Sequence, residues 1–93
     1  MMKAKTSDFV FLMEDYVIEC KHQPNGTIGR PTVQKLHSAV VTSHAKKGFI
    51  VTTGRFSAEA SRFAKDLGGL VDLIDSRILY DMANRAGIRV LER

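Results

Sequence analysis

The triplet Glu19-Cys20-Lys21 puts a carboxylate and an ammonium two residues apart in a run, Tyr16 to Lys21, whose β-branched and aromatic residues favour a strand. Side chains of a strand alternate between its faces, so Glu19 and Lys21 point one way and Cys20 the other. A second acid joins them if the preceding residues fold back. Residues 8–13 form another strand-like run, separated from the first by the polar pair Glu14-Asp15, which is a hairpin pattern. A two-residue connection sets Leu12 opposite Val17, Val10 opposite Glu19 and Asp8 opposite Lys21. Asp8 then shares the face of Glu19 and Lys21, as a diagonal neighbour of Glu19 at about 7–8 Å. Two carboxylates so spaced can share a divalent cation, Mg²⁺ or Mn²⁺, with the Cys20 carbonyl as a further hard oxygen ligand and water completing the octahedron. A lysine beside them can hold an attacking water or stabilise negative charge growing on a phosphorus centre. The plainer alternative is a salt-bridged strand end with no chemistry. A three-residue turn would also turn Asp8 to the opposite face.

The rest of the chain must position these groups. Residues 23–29, with Pro24, Asn25-Gly26 and Gly29, read as a loop. Pro31 suits a first helical turn, and Val33, Leu36 and Val40 recur at helical spacing until Gly48 stops the helix, which puts Lys46 and Lys47 at its C-terminus. Phe49 to Thr53 is a short buried strand closed by Gly54. Ser57 caps the next helix, with Glu59 in its first turn, Ala60, Phe63, Ala64 and Leu67 on one face, and Gly68-Gly69 as the stop. Leu70 to Ile74 is a further strand. Asp75 or Ser76 caps a last helix with Ile78, Leu79, Met82, Ala83 and Ala86 on its apolar face, ended by Gly87, and Ile88 to Leu91 adds a short strand. The order hairpin, α, β, α, β, α predicts an α/β fold with a mixed sheet and parallel crossovers, as a single domain over residues 1–93.

Charge separates along this order. The 93 residues carry 14 Lys and Arg against 10 Asp and Glu, net +4, yet no acid falls between Cys20 and Ala58. That segment holds Lys21, Arg30, Lys35, Lys46, Lys47 and Arg55, and a basic block of this kind suits a phosphate-bearing partner. Thr52, Thr53 and Arg55, between a strand and a helix N-terminus, either hold phosphate or form a plain strand-to-helix turn. His22, His37 and His44 do not have zinc-site spacing. The single cysteine excludes an internal disulfide and suits a reducing compartment. No apolar run approaches the roughly 18 residues of a membrane span. The expectation is a soluble, cytoplasmic protein without a membrane partner.

The run Tyr16-Val-Ile-Glu-Cys-Lys21, then Ile28-Gly-Arg-Pro-Thr-Val-Gln-Lys-Leu36, Gly48-Phe-Ile-Val-Thr-Thr-Gly-Arg-Phe-Ser57 with Ala58-Glu-Ala60, and finally Leu70-Val-Asp-Leu-Ile-Asp75, resembles the catalytic domain of Mrr-like restriction endonucleases of the PD-(D/E)xK superfamily. The resemblance implies a restriction-endonuclease-like fold and Mg²⁺- or Mn²⁺-dependent hydrolysis of DNA. It implies metal ligation by Asp8 and Glu19, beside which the strand geometry sets the Cys20 carbonyl, a catalytic role for Lys21, and a polar active-site position at Gln34. Arg30, Lys35, Lys46, Lys47, Thr53 and Arg55 are then the candidate DNA contacts. Two departures stand out. The family sets glycines before its first acid, whereas here the context is Lys5-Thr-Ser-Asp8. The family also has a helix and a strand ahead of the hairpin, for which this sequence has seven residues. Sheet surface left bare by that shortening predicts a homodimer. A nuclease-fold DNA-binding module without cleavage, and a protein-interaction domain, are the alternatives.

Overall fold

The computed structural model describes residues 8–13 and 15–87, with the backbone alone for 8, 9 and 11–13. Strands β1 (Asp8–Met13) and β2 (Tyr16–Lys21) form an antiparallel hairpin with Met13 opposite Tyr16, Val10 opposite Glu19 and Asp8 opposite Lys21. This is the register that a two-residue connection dictates.

After β2 come β3 (Thr27–Ile28), α1 (Arg30–Ser43), β4 (Lys47–Thr52), β5 (Arg55–Phe56), α2 (Ala58–Asp66), β6 (Val71–Ile74) and α3 (Ser76–Arg85). The main sheet has the order β1-β2-β4-β6, with β2, β4 and β6 mutually parallel. Each parallel pairing needs a crossover, which α1 and α2 supply. The architecture is therefore the expected mixed α/β sheet. Buried Val17, Ile50 and Val71 on the sheet meet Val33, Leu36 and Val40 of α1 and Ala60 and Ala64 of α2. Helix α3 packs on the other face, against β4 and β6.

Two sequence expectations change. Gly48 does not stop the first helix. That helix ends at Ser43, where His44 adopts a left-handed conformation (φ 60°, ψ 30°) and donates its N–H to the Val40 and Val41 carbonyls. Gly48 lies buried inside β4. A Cβ there would come 2.6 Å from Val40 Cγ2 and 3.0 Å from Leu36 Cδ2, so glycine is what lets α1 sit so close to the sheet. Lys47 is accordingly the first residue of a strand rather than part of a helix terminus. The second change is the pair β3 and β5, which form a separate parallel ladder from residues read as loop and turn. Two residues are too few to show an alternation in sequence.

The caps follow local chemistry. Ser57 Oγ accepts the Ala60 N–H at 3.0 Å, and Asp75 Oδ1 accepts the Ile78 N–H at 3.0 Å, which makes Asp75 rather than Ser76 the cap of α3. The strand expected at Ile88 to Leu91 lies outside the described residues. Among those described, no helix is long and apolar enough to cross a membrane.

Candidate active site

Val17, Glu19 and Lys21 occupy one face of β2, and Val17 is buried in the core beneath the helices. Glu19 and Lys21 thus continue a core-facing row. Their side chains are 15% and 18% exposed, and Lys21 Nζ lies 3.5 Å from Glu19 Oε2. A decorative strand-end pair would stand in water, where such pairs contribute about 0–1 kcal/mol. Here both charges are largely desolvated, which costs stability unless the pairing and further contacts offset it.

The strand ends around Lys21 are fastened to one another. The Thr53 N–H donates to the Lys21 carbonyl at 3.2 Å, and Thr53 Oγ1 accepts the Gln23 N–H at 2.9 Å and lies 3.3 Å from His22 Nδ1. Thr52, 1% exposed, accepts the Gly54 N–H at 3.0 Å through Oγ1. A Cβ on Gly54 would strike the carbonyl oxygens of both Gln23 and Gly26, so the loop after β2 and the turn after β4 meet backbone to backbone. These contacts, with the β3–β5 ladder, fix where β2 delivers Lys21.

Asp8 stands opposite Lys21 in the backbone register. Backbone groups of a strand alternate edges, and the Lys21 carbonyl is turned to the β4 side, so the Cys20 carbonyl is turned to the β1 side, where Asp8 lies. One carboxylate already in place, a second acid in register and a carbonyl on the shared edge are all hard oxygen donors, the set that suits Mg²⁺ or Mn²⁺. Among the described residues, no group of three His, Cys, Asp or Glu side chains gathers as a metal cluster. The Cys20 thiol points to the α3 face, toward Val51 and Leu79. Burial, and secondarily the charge of Glu19, push its pKa up.

The other expected site residues scatter. Gln34 is exposed on α1. Arg30 and His37 of that helix both reach Phe63 of α2, the guanidinium at 4.9 Å from the ring centroid and the imidazole ring at 6.4 Å. At about 100° per residue Gln34 falls within about 60° of both, which puts it on the α2 flank, across α1 from β1. Lys35 is exposed on the same helix. Lys46 and Lys47 lie at the opposite end of the sheet from Lys21. Lys47 pairs in register with Tyr16 whereas Lys21 pairs with Thr52, a separation of about 16 Å along the strands. Both also have acidic partners, Asp15 at 3.5 Å and Asp72 at 2.9 Å. Thr53 and Arg55 lie at the Lys21 end. Arg77, which sequence reasoning passed over, joins them there beside Arg55. Its signal was its place at the start of a helix that follows a parallel strand.

A model of the restriction endonuclease family Mrr_cat matches residues 3–83. The chain belongs to the Mrr catalytic-domain family. It is 31% identical over 77 residues to the type IV methyl-directed restriction enzyme EcoKMrr of Escherichia coli strain K12, an alignment that covers 82% of this chain and 25% of the enzyme. The fold is similar to that of the DNA modification-dependent restriction endonuclease AspBHI, with a TM-score of 0.69 and 22% identity over 89% of this chain and 23% of that one. The Mrr-like chain thus spans about a quarter of the length of these relatives.

Proposed function

We propose that this domain is a metal-dependent DNA endonuclease that hydrolyses phosphodiester bonds at Asp8, Glu19 and Lys21. The observation that carries the reading is the Glu19–Lys21 pair, held nearly out of solvent on the core-facing row of an interior strand, with Asp8 opposite Lys21 in register. Asp8, Glu19 and the Cys20 carbonyl would hold Mg²⁺ or Mn²⁺, which supplies a Lewis acid for the phosphate and acidifies a bound water. Glu19 holds the Lys21 ammonium in place. That ammonium orients the attacking water or balances charge on the phosphate oxygens as it develops. The partial burial of the pair keeps bulk water from screening this interaction.

DNA is the proposed substrate, and the methyl-directed action named for EcoKMrr makes methylated DNA the first arm to test. Cutting both strands calls for two such sites. A homodimer would supply them and cover Tyr16, Ile78 and Met82, which are 41%, 45% and 51% exposed.

The experiment compares nicking of methylated and unmethylated plasmid with Mg²⁺, with Mn²⁺ and with EDTA, using the parent, Glu19→Ala and Lys21→Ala. Metal-dependent nicking that falls by about 10²-fold or more in each variant is expected. Equal nicking by parent and variants would remove these residues from the mechanism. DNA retention with no turnover under either metal would leave a binding module in place of an enzyme.

A further inference from the structure

Several cations of the domain have partners. Lys21 pairs with Glu19, Lys46 with Asp15, Lys47 with Asp72 and Arg85 with Asp81, while Arg30 stacks on Phe63. Arg55 and Arg77 have no such partner among the described residues, as is also true of Lys35, Arg62 and Lys65, but these two arginines share one cleft. They line one cleft with Phe56, Asp75 and Ser76, and among the described residues no ion pair engages either guanidinium. The one acid in that cleft, Asp75, caps α3 by accepting the Ile78 N–H, and its single charge leaves the two arginines in excess.

The two walls of the cleft are joined through the backbone. The Ser76 N–H donates to the Gly54 carbonyl at 3.1 Å, and each arginine directly follows one of those two residues. The Arg55 N–H donates in turn to the Gly26 carbonyl at 3.1 Å. Two guanidiniums are therefore carried on fixed backbone, on one concave surface, with a single carboxylate among the lining residues and no ion pair to it. Guanidinium forks match phosphate oxygens in geometry and in sign.

The cleft opens at the ends of β4 and β6, on the same rim of the sheet as Lys21 at the end of β2. From β2 to β6 is two strand spacings, about 10 Å. Successive phosphates of one strand wind around the helix axis as well as rising about 3.4 Å along it, so this distance spans about one to two nucleotides. We propose that Arg55 and Arg77 together bind a backbone phosphodiester of the same DNA strand, about one to two nucleotides from the phosphate presented to Glu19 and Lys21. This rests on the nuclease reading for the substrate, but its test does not require turnover.

The test measures binding of a fluorescent 20-mer DNA duplex across a salt series in EDTA, where cleavage plays no part. Each of Arg55→Gln and Arg77→Gln is expected to weaken binding several-fold at 100 mM salt and to lower the slope of log K against log [salt] by about one. Lys65→Gln, an exposed cation on α2, is expected to change binding no more than twofold. In the parent, replacing a single phosphate about one to two nucleotides from the cut with a neutral methylphosphonate should weaken binding, and the Arg55→Gln/Arg77→Gln pair should be blind to that replacement. Unchanged slopes in both arginine variants, or an equal loss in Lys65→Gln, would overturn the proposal. So would saturation of the cleft by inorganic phosphate at concentrations that leave duplex binding untouched. Thermal melting verifies that the variants fold. A parent that binds with these slopes but never cuts would refute the nuclease reading alone, whereas one that cuts with unaltered slopes in the arginine variants would refute the phosphate cleft alone.

Discussion

Gly48→Ala tests the packing that holds the core-facing row of β2 against the helices. The added methyl would lie 2.6 Å from Val40 Cγ2 and 3.0 Å from Leu36 Cδ2, against about 3.5–4.0 Å for ordinary carbon contacts. One contact is short by about 1 Å and the other by about half that. Val40 and Leu36 are 1% and 2% exposed, so neither has open space to move into, and α1 must lift off the sheet or the side chains must leave their rotamers. Overpacking of this kind costs about 1–3 kcal/mol, and the lost glycine flexibility returns about 0.5–1 kcal/mol. With two clashes against buried side chains the cost is about 2–3 kcal/mol, and net of roughly 1 kcal/mol returned the expectation is a loss of about 1–2 kcal/mol. Urea denaturation, with a slope near 1 kcal/mol per molar for a small domain, should show a midpoint lower by about 1–2 M. Val40→Ala alone removes the clashing carbon at the cost of a cavity, which the methyl added by Gly48→Ala would partly fill in the double variant. The double variant should therefore lose less than the two single losses added together, by about 0.5 kcal/mol or more. A Gly48→Ala midpoint equal to or above the parent, or strict additivity, would refute the account of why glycine stands inside β4.

Other outcomes follow from single features. His44→Gly should raise stability by about 0.5–1 kcal/mol in the same urea assay, because His44 holds φ 60° where glycine carries no Cβ penalty. Cys20 should react with iodoacetamide at pH 8 more slowly than an unstructured thiol, and Glu19→Gln should speed it by removing the secondary cause of the raised pKa. With the folded pKa raised, the unfolded chain loses this proton first. Stability contributed at Cys20 is thus whole below the ordinary thiol range, about 8.5, and is lost as pH rises through the folded pKa, a slope measurable by urea titration and absent in Cys20→Ala. Gln34→Ala should cleave DNA within about threefold of the parent, well inside the 10²-fold scale of a catalytic group, since the side chain sits on the α2 flank of α1.

Part of the fold was legible because it follows from short-range rules. The two runs of β-branched and aromatic residues, 8–13 and 16–21, about a polar pair fix the hairpin, and with it the pairing of Asp8 and Lys21. The helical stripe Val33, Leu36 and Val40 likewise forms the buried face of α1. What was not legible depends on distant partners. Nothing local says that Gly48 answers to Val40 rather than ending a helix, or that Thr27-Ile28 will find Arg55-Phe56. The same holds for the basic segment. Its lysines and arginines are neighbours in sequence, but parallel strands send Lys47 and Lys21 to opposite ends of the sheet and bring Arg77 to Arg55 from beyond the segment.

Gly54 has a consequence for how this rim can be altered. The loop after β2 wraps the turn after β4 so closely that a single carbon on residue 54 has no room. Lengthening either segment would require both to be rebuilt together, and would dislodge Lys21 and Arg55 at once. Engineered changes in DNA affinity should therefore succeed as side-chain replacements at exposed positions such as His22, Arg55 and Arg77, while insertions between residues 22 and 29 should yield chains that do not assemble the rim.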